Sequence, residues 1–348
     1  MWQGLFVRYG DVMTSLREAE HVSRRLFMVG GAGAALTTVA GCSWFEPPPP
    51  VISYLDPSSI DSVNSGTNLA AFRRGLAEQG FVEGDNVTIE YRYANGDADR
   101  LSELAKEAIA ANPAVLVVDT SAAAHVVQAL TRTMPIVFCQ VNDAVESGEV
   151  ANPERPEANV TGIADVNDLS PKRLRLLNAL VPPTAKIGYL SNPNRRSYER
   201  ELHEIQDEAE RLKRRLVVLR AGNDTELAGA YAKLSGSGVG GVVVGSMRGL
   251  RGHPEKLVAL IARRNIPAIY YNRDFVGVGG LMSYGPAFSE IYRMAGVYAG
   301  RLLKGARPAD LPVLNPHSVE LVINMKAAHV LGLIMPPEIL AEATEVIG

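Results

Sequence analysis

From Val51 onward, short β-branched runs alternate with apolar stripes of helical period. The runs "VISYL" (Val51–Leu55), "VTIEYRY" (Val87–Tyr93), "VLVVD" (Val115–Asp119) and "IVFCQ" (Ile136–Gln140) are bounded by turn residues and predict strands. Between them Leu69, Phe72 and Leu76 fall at i, i+3 and i+7. Leu101, Leu104, Ala105, Ala108 and Ile109 fall at i, i+3, i+4, i+7 and i+8, which marks one face of a helix. Such alternation predicts βαβ units and a parallel sheet with helices on both faces.

A second series begins near Lys186. Its strands are "KIGYL" (Lys186–Leu190), "LVVLR" (Leu216–Arg220), "GVVVG" (Gly241–Gly245) and "AIYY" (Ala268–Tyr271). Leu202, Ile205, Ala209 and Leu212 mark one intervening helix, and His253 to Arg264 another. Both series end on a proline at the entry to the fourth strand, in "MPIVF" and "IPAIY". The matching counts predict two related Rossmann-like lobes. "NVTGIADVN" (Asn159–Asn167) and "GGLMSYG" (Gly279–Gly285) read as extended crossings between them. A helix from Phe288 to Leu303, a strand and short helix over Val319–Leu333, and a terminal helix complete the pattern. The expected division assigns residues 51–163 and about 286–313 to the N-terminal lobe. Residues 164–285 and about 314–348 form the C-terminal lobe.

The first 41 residues do not fit this pattern. Arg24 and Arg25 precede an uncharged run, Leu26 to Val39, too short for the roughly 20 residues that span a membrane. It has the length and flanks of a signal-peptide core, and its glycines and the Thr37-Thr38 pair make a poor helix interior. "SRRLFM" resembles a twin-arginine export signal, and "VAGC" resembles a lipobox that would make Cys42 the lipidated first residue of the mature protein. Cleavage nearby by an ordinary signal peptidase is the alternative. The mixed charge before Ser23 points to Met13 as the start. Pro47 to Pro50 then read as a stiff polyproline tether, within a 42–50 segment that links anchor to domain.

About 300 residues remain, enough for two core-bearing domains. A hydrophobic content of 47% with 21% charge is that of an ordinary globular chain. The formal charge of −3 offers no basic footprint, which argues against a nucleic-acid partner. Cys139 lies in the apolar run "PIVFCQV", as a buried, inert thiol would. No His/Cys cluster has metal-ligand spacing, so no metal or cofactor is implied. An enzyme reading finds no footing: "GVGG" (Gly277–Gly280) opens no βαβ unit, and none of the six histidines sits in a nucleophile–base motif. His125 reads as a helix-surface residue. A regulator would carry a DNA-binding headpiece where the export signal stands.

"AAFRRGLAEQGFVEGDNVTIEYRYANGDADRLSELA", "IPAIYYNRDFVGVGGLMSYG" and "KAAHVLGLIMPPEILAEATEVI" resemble the ABC-transporter substrate-binding proteins of the tryptophan/tyrosine-binding type. The resemblance covers about Val51 to Ile347. It implies an α/β, type I periplasmic-binding-protein fold: two lobes with parallel sheets, three crossover segments and a ligand cleft. It further implies a small-molecule solute, an amino acid or a similar carboxylate compound, and an ABC permease with ATPase subunits as partners. An extracytoplasmic ligand sensor on the same fold is the alternative. Where the family commonly has an acidic residue before "GGLMSYG", this chain reads Gly277-Val278.

Ligands of open parallel sheets bind at the carboxyl ends of the strands. That rule nominates Ser58 and Ser59 after the first strand, Thr120 and Ser121 after the third, and Asn142 after the fourth. Thr120 or Ser121 is expected to cap a helix whose free N–H groups suit a carboxylate. In the second lobe the rule nominates Asn192, Ser246 and Asp274. Asp56, Asp143, Asp165 and Asp274 are candidates to face an ammonium group, and Arg273 to face a carboxylate or pair with Asp274. Tyr271 and Tyr284 are candidates to stack a planar ligand, with Tyr284 preferred for its place at a crossover.

Overall fold

The computed structural model describes residues 47–60, 65–142, 144–145, 148–156, 158–165, 169–195, 197–247, 254–315 and 318–348. The export signal, Cys42, Asp143 and His253 lie outside the described residues. Pro48–Gly348 form one compact unit.

The first sheet has the order β2-β1-β3-β4-β5, all parallel. Its strands are β1 (Val51–Asp56), β2 (Thr88–Tyr93), β3 (Val115–Asp119), β4 (Ile136–Asn142) and β5 (Val160–Asp165). Helices α1 (Ser65–Ala77), α2 (Ala98–Ala110) and α3 (Thr120–Leu130) connect them. The stripe on α2 is buried as its periodicity requires, and Asp97 caps the helix by accepting from the Asp99 and Arg100 amides. Ile52, Val117 and Val137 face one core under α1, and Leu116, Val118 and Phe138 face the other under α2 and α3.

The chain then passes to α4 (Ser170–Asn178) and builds the second sheet. Its elements are β6 (Lys186–Ser191), α5 (Tyr198–Arg211), β7 (Leu216–Arg220), α6 (Asp224–Ser235), β8 (Val239–Val244), α7 (Pro254–Ala262), β9 (Ala268–Tyr270), α8 (Asp274–Gly277) and β10 (Met282–Pro286). It returns to the first lobe as α9 (Phe288–Leu303), which packs on α1. A last passage leads to β11 (Val319–Asn324), α10 (Met325–Val330), α11 (Pro337–Glu342) and β12 (Glu345–Ile347). The second sheet runs β12-β11-β10-β9-β8-β6-β7, with only the β10–β11 pair antiparallel.

The two sheets repeat one another: β7-β6-β8-β9-β10 has the winding of β2-β1-β3-β4-β5. Even the two entry prolines match. The Pro135 carbonyl accepts from Leu116 N at 2.9 Å, and the Pro267 carbonyl from Val242 N at 3.0 Å. A proline at a strand's first position keeps its acceptor and gives up only a donor.

Three expectations are corrected. The stretch 159–167 supplies β5, the edge strand of the first sheet, and 279–285 supplies β10 inside the second. The crossings are therefore shorter than read, because an edge strand and an extended linker share the same sequence pattern. The terminal helix is followed by β12, three residues pairing with β11.

The crossing chains are tied to one another. Leu314 bridges Ile163 of β5, with Ala164 N donating to Leu314 O at 2.7 Å and Leu314 N to Gly162 O at 3.1 Å. Ala287 N donates to Ser318 O at 3.0 Å. The buried Arg173 guanidinium, one turn into α4, donates through Nε to Tyr284 O at 2.7 Å and through Nη1 to Ser170 Oγ at 2.9 Å.

Candidate functional site

In each sheet the winding reverses once, between β1 and β3 and between β6 and β8. Such switch points leave a crevice outside the carboxyl ends of the strands. The residues there decide what the fold can bind.

In the first lobe the switch point is acidic. Asp56 and Asp119 end adjacent strands and are both buried. Asp56 Oδ1 accepts from Ser58 N at 2.7 Å and Ser58 Oγ at 2.5 Å, an Asx turn that folds the loop back over β1. Ser58 and Ser59 are half-buried on that loop, and the Ser58 carbonyl is held by Asn95 N at 3.1 Å. Beneath the acids, burial pushes the Cys139 thiol well up, and the charges of Asp119 and Asp56 add to the shift. The buried thiol expected from the sequence is what stands there.

The helix-cap expectation for Thr120 and Ser121 fails. The capping position is Asp119, without a side-chain cap bond, and Thr120 is the first residue of α3. Thr120 has φ +71°, a left-handed conformation that a β-branched residue seldom adopts, and its Oγ1 is buried without a hydrogen-bond partner. The Ser121 carbonyl lies 2.7 Å from His125 Nδ1, so His125 is engaged within its own helix. Asn142 and Asp165 are register partners at the ends of β4 and β5.

The second switch point is neutral. Ser191 Oγ is buried and has no hydrogen-bond partner. Asn192 is buried, and its Oδ1 accepts from Asn194 N at 2.9 Å. Gly222 makes room for this loop, since a Cβ there would come 2.3 Å from Asn194 Nδ2. The same loop is pinned by Arg195, which grips Glu201 through two bonds of 2.6 and 2.7 Å while Ser197 Oγ donates to the same carboxylate. Ser246 is half-buried after β8, beside Gly245, whose missing Cβ leaves room for Tyr189 Oη.

Two expectations lie further along the sheet. Arg273 does not pair with Asp274; it spans to β11 and β12, donating to Glu320 Oε2 at 3.0 Å and Glu345 Oε2 at 2.6 Å. Asp274 Oδ2 instead accepts from Asn272 Nδ2 at 2.9 Å. The Tyr284 ring is partly buried in the cluster under α4, with Lys172 Nζ 6.0 Å from its centroid. Tyr271 is buried against Phe275, ring centroids 5.2 Å apart. Sequence reading passed over Asp119, Ser191, Asn272 and Glu320. Asp119 ends a predicted strand, and Ser191 and Asn272 each directly follow one, so the strand-end rule could have found all three. Among the described residues no group of three or more His, Cys, Asp or Glu side chains is placed to hold a metal.

Comparison with known proteins places this geometry. The family model described as ABC transporter substrate binding protein matches residues 51–347. A curated relative, the tyrosine-binding protein of Clostridioides difficile, is 25% identical over 273 residues, 76% of this chain and 75% of its own. An ABC domain from Streptococcus pneumoniae in complex with L-Trp superposes with a TM-score of 0.77 at 25% identity, covering 86% of this chain and all of that one. A conserved domain protein of Vibrio cholerae superposes with a TM-score of 0.76 at 23% identity, over 85% of this chain and 99% of its own. The chain belongs to the ABC transporter substrate-binding protein family.

Proposed function

We propose that this protein is an extracytoplasmic, lipid-anchored solute-binding protein of an ABC importer, and that its solute is an amino acid or a similar small carboxylate compound. The observation that carries the reading is the pair of matched switch points: two sheets wound alike, each ending in buried polar side chains, joined by chain that crosses three times. The solute is held between Ser58, Ser59, Thr120 and Ser121, with Asn142 and Asp165, on one side and Asn192, Ser246 and Asp274 on the other. Tyr284, by the second crossing, is the aromatic ring proposed to stack on the solute. Closure about the crossings brings both sets onto the solute, a hinge motion that ligand binding favours by contacting both lobes only when shut. The closed form is what a permease with its ATPase subunits would receive. No covalent chemistry is required of the chain. The tyrosine-binding relative and the L-Trp complex support an amino-acid solute. Cys42 is the proposed lipid attachment, and 42–50 the tether.

A thermal-shift screen of the purified protein against amino acids, sugars and nucleosides tests this. A solute at 100 times its Kd adds about 2.7 kcal/mol of stability, and small-angle scattering with that solute should report a smaller radius of gyration. A protein indifferent to every solute class would end the proposal.

A further inference from the structure

Six described residues other than glycine have a positive φ. Asn112, Lys213 and Asn265 follow helices and Asn95 lies in the turn after β2, places where a left-handed residue is routine. The other two, Thr120 at +71° and Gln140 at +53°, belong to the first sheet. Asp119 is the register partner of Cys139, so Thr120 and Gln140 follow paired residues and stand side by side near the carboxyl ends of β3 and β4. Backbone strain of this kind gathers at functional sites and persists only where the surroundings enforce it.

At Gln140 the enforcing contact is a hydrogen bond. Gln140 Nε2 donates to Tyr292 Oη at 2.5 Å, between residues that are 0% and 2% exposed. Tyr292 stands about one turn into α9, the helix that follows the second crossing. The consequence of the strained residue is a bulge. Cys139 pairs with Ile163 and Val141 with Ala164, so Gln140 is the extra residue of β4. Val137 and Cys139 face the core under α1 and α9, and Ile136 and Phe138 the core under α2 and α3. Strict alternation would send Val141 to the α9 side. Instead Cys139 and Gln140 both turn to that side, and Val141 packs with Phe138 in the other core. The bulge also brings Asn142 into register with Asp165. Without it Val141 would pair with Asp165, and Asn142 would run past the end of β5.

The geometry points to Gln140 and Tyr292 as a positioning pair: their bond holds the left-handed bulge, and the bulge sets the register in which the ends of β4 and β5 are offered to the solute. Both side chains are enclosed in the core, so they act through the strand and not by contact. Because Tyr292 opens α9, the bond also ties the strand end to chain arriving from the second crossing. The inference rests on the solute-binding reading above and deepens it.

The test compares Gln140→Val, whose β-branched side chain resists a left-handed backbone, with Gln140→Gly, which accepts that backbone but lacks the amide. In crystal structures Gln140→Gly should keep the Val141–Ala164 and Asn142–Asp165 pairs, and Gln140→Val should lose them. The binding probes are L-tyrosine and L-tryptophan, titrated calorimetrically into the purified protein. Whichever one the wild type binds more tightly should lose at least ~10-fold in affinity in Gln140→Val and less than about threefold in Gln140→Gly. A merely structural role would follow stability instead, and Gln140→Gly, which forfeits the buried hydrogen bond, would then bind no better than Gln140→Val. Should Gln140→Val fail to fold, Tyr292→Phe removes only the hydroxyl. It should weaken the same probe ~3–10-fold, and adding Gln140→Gly to it should restore binding. Wild-type pairing or affinity in Gln140→Val, wild-type affinity in Tyr292→Phe, or equal losses in the two position-140 variants overturn the pair. If the wild type binds neither probe, the amino-acid reading falls, and the two crystal structures still decide the bulge.

Discussion

Cys139 lies at the centre of β4, 0% exposed, with Asp56 and Asp119 close enough to add to the rise that burial imposes on its thiol. A thiol held protonated and out of reach of solvent has no reactivity to offer. In protein whose only other cysteine, Cys42, is replaced by serine, native samples should take up no iodoacetamide over hours at pH 8, and urea-unfolded samples one equivalent. Native labelling at the rate of a free thiol would refute the burial. This side chain was legible because the run "PIVFCQV" has no exposed face to offer. Thr120 was not legible, since nothing in "DTSAAAHVV" announces a threonine at φ +71°. Arg273 was misread for a different reason. Its sequence neighbour Asp274 was the obvious partner, yet the guanidinium reaches carboxylates 47 and 72 positions away, and only the sheet order brings those near.

Helix α9 was predicted to its end residues, Phe288 and Leu303, but nothing in its pattern said that it packs on α1. Glycines make that contact. A Cβ on Gly296 would stand 2.1 Å from the Phe72 carbonyl oxygen, and one on Gly75 would stand 1.8 Å from that of Arg293. Both obstacles are backbone, which cannot swing aside, so the helices approach as closely as they do only without side chains there. Gly296→Ala should lower the unfolding free energy by about 1–3 kcal/mol in a urea titration. Gly229→Ala in α6, where a Cβ meets nothing within 4 Å, should raise it by about 0.5–1 kcal/mol. Equal effects of the two would show that helix propensity rather than close approach governs Gly296. Elsewhere at this scale, the alternation of strands and stripes carried the sequence reading. It failed where an element is short or lies at a sheet's edge, as in β5 and β12, because few residues then record which face is buried.

At the scale of the molecule, the duplicated winding explains why the fold was readable from one sequence: two runs of strand and helix, each closed by a proline-led fourth strand, can build two similar sheets. The crossings hold what was not readable, since Arg173 on Tyr284 O and Leu314 on β5 are contacts between segments far apart in the chain. The family match begins at residue 51, just after Pro47 to Pro50. Binding and tethering should therefore separate. A solute-binding protein that serves a membrane permease gains by being held near it, and stable attachment needs more than one acyl chain. If Cys42 carries the lipid, Cys42→Ser should move the protein from the membrane fraction to the soluble fraction of a producing cell. The released protein should keep wild-type solute affinity, because every residue proposed to touch the solute lies beyond residue 51. A Cys42→Ser protein that still sediments with membranes would show that something other than this cysteine holds it there, and would leave the proline run without its tethering role.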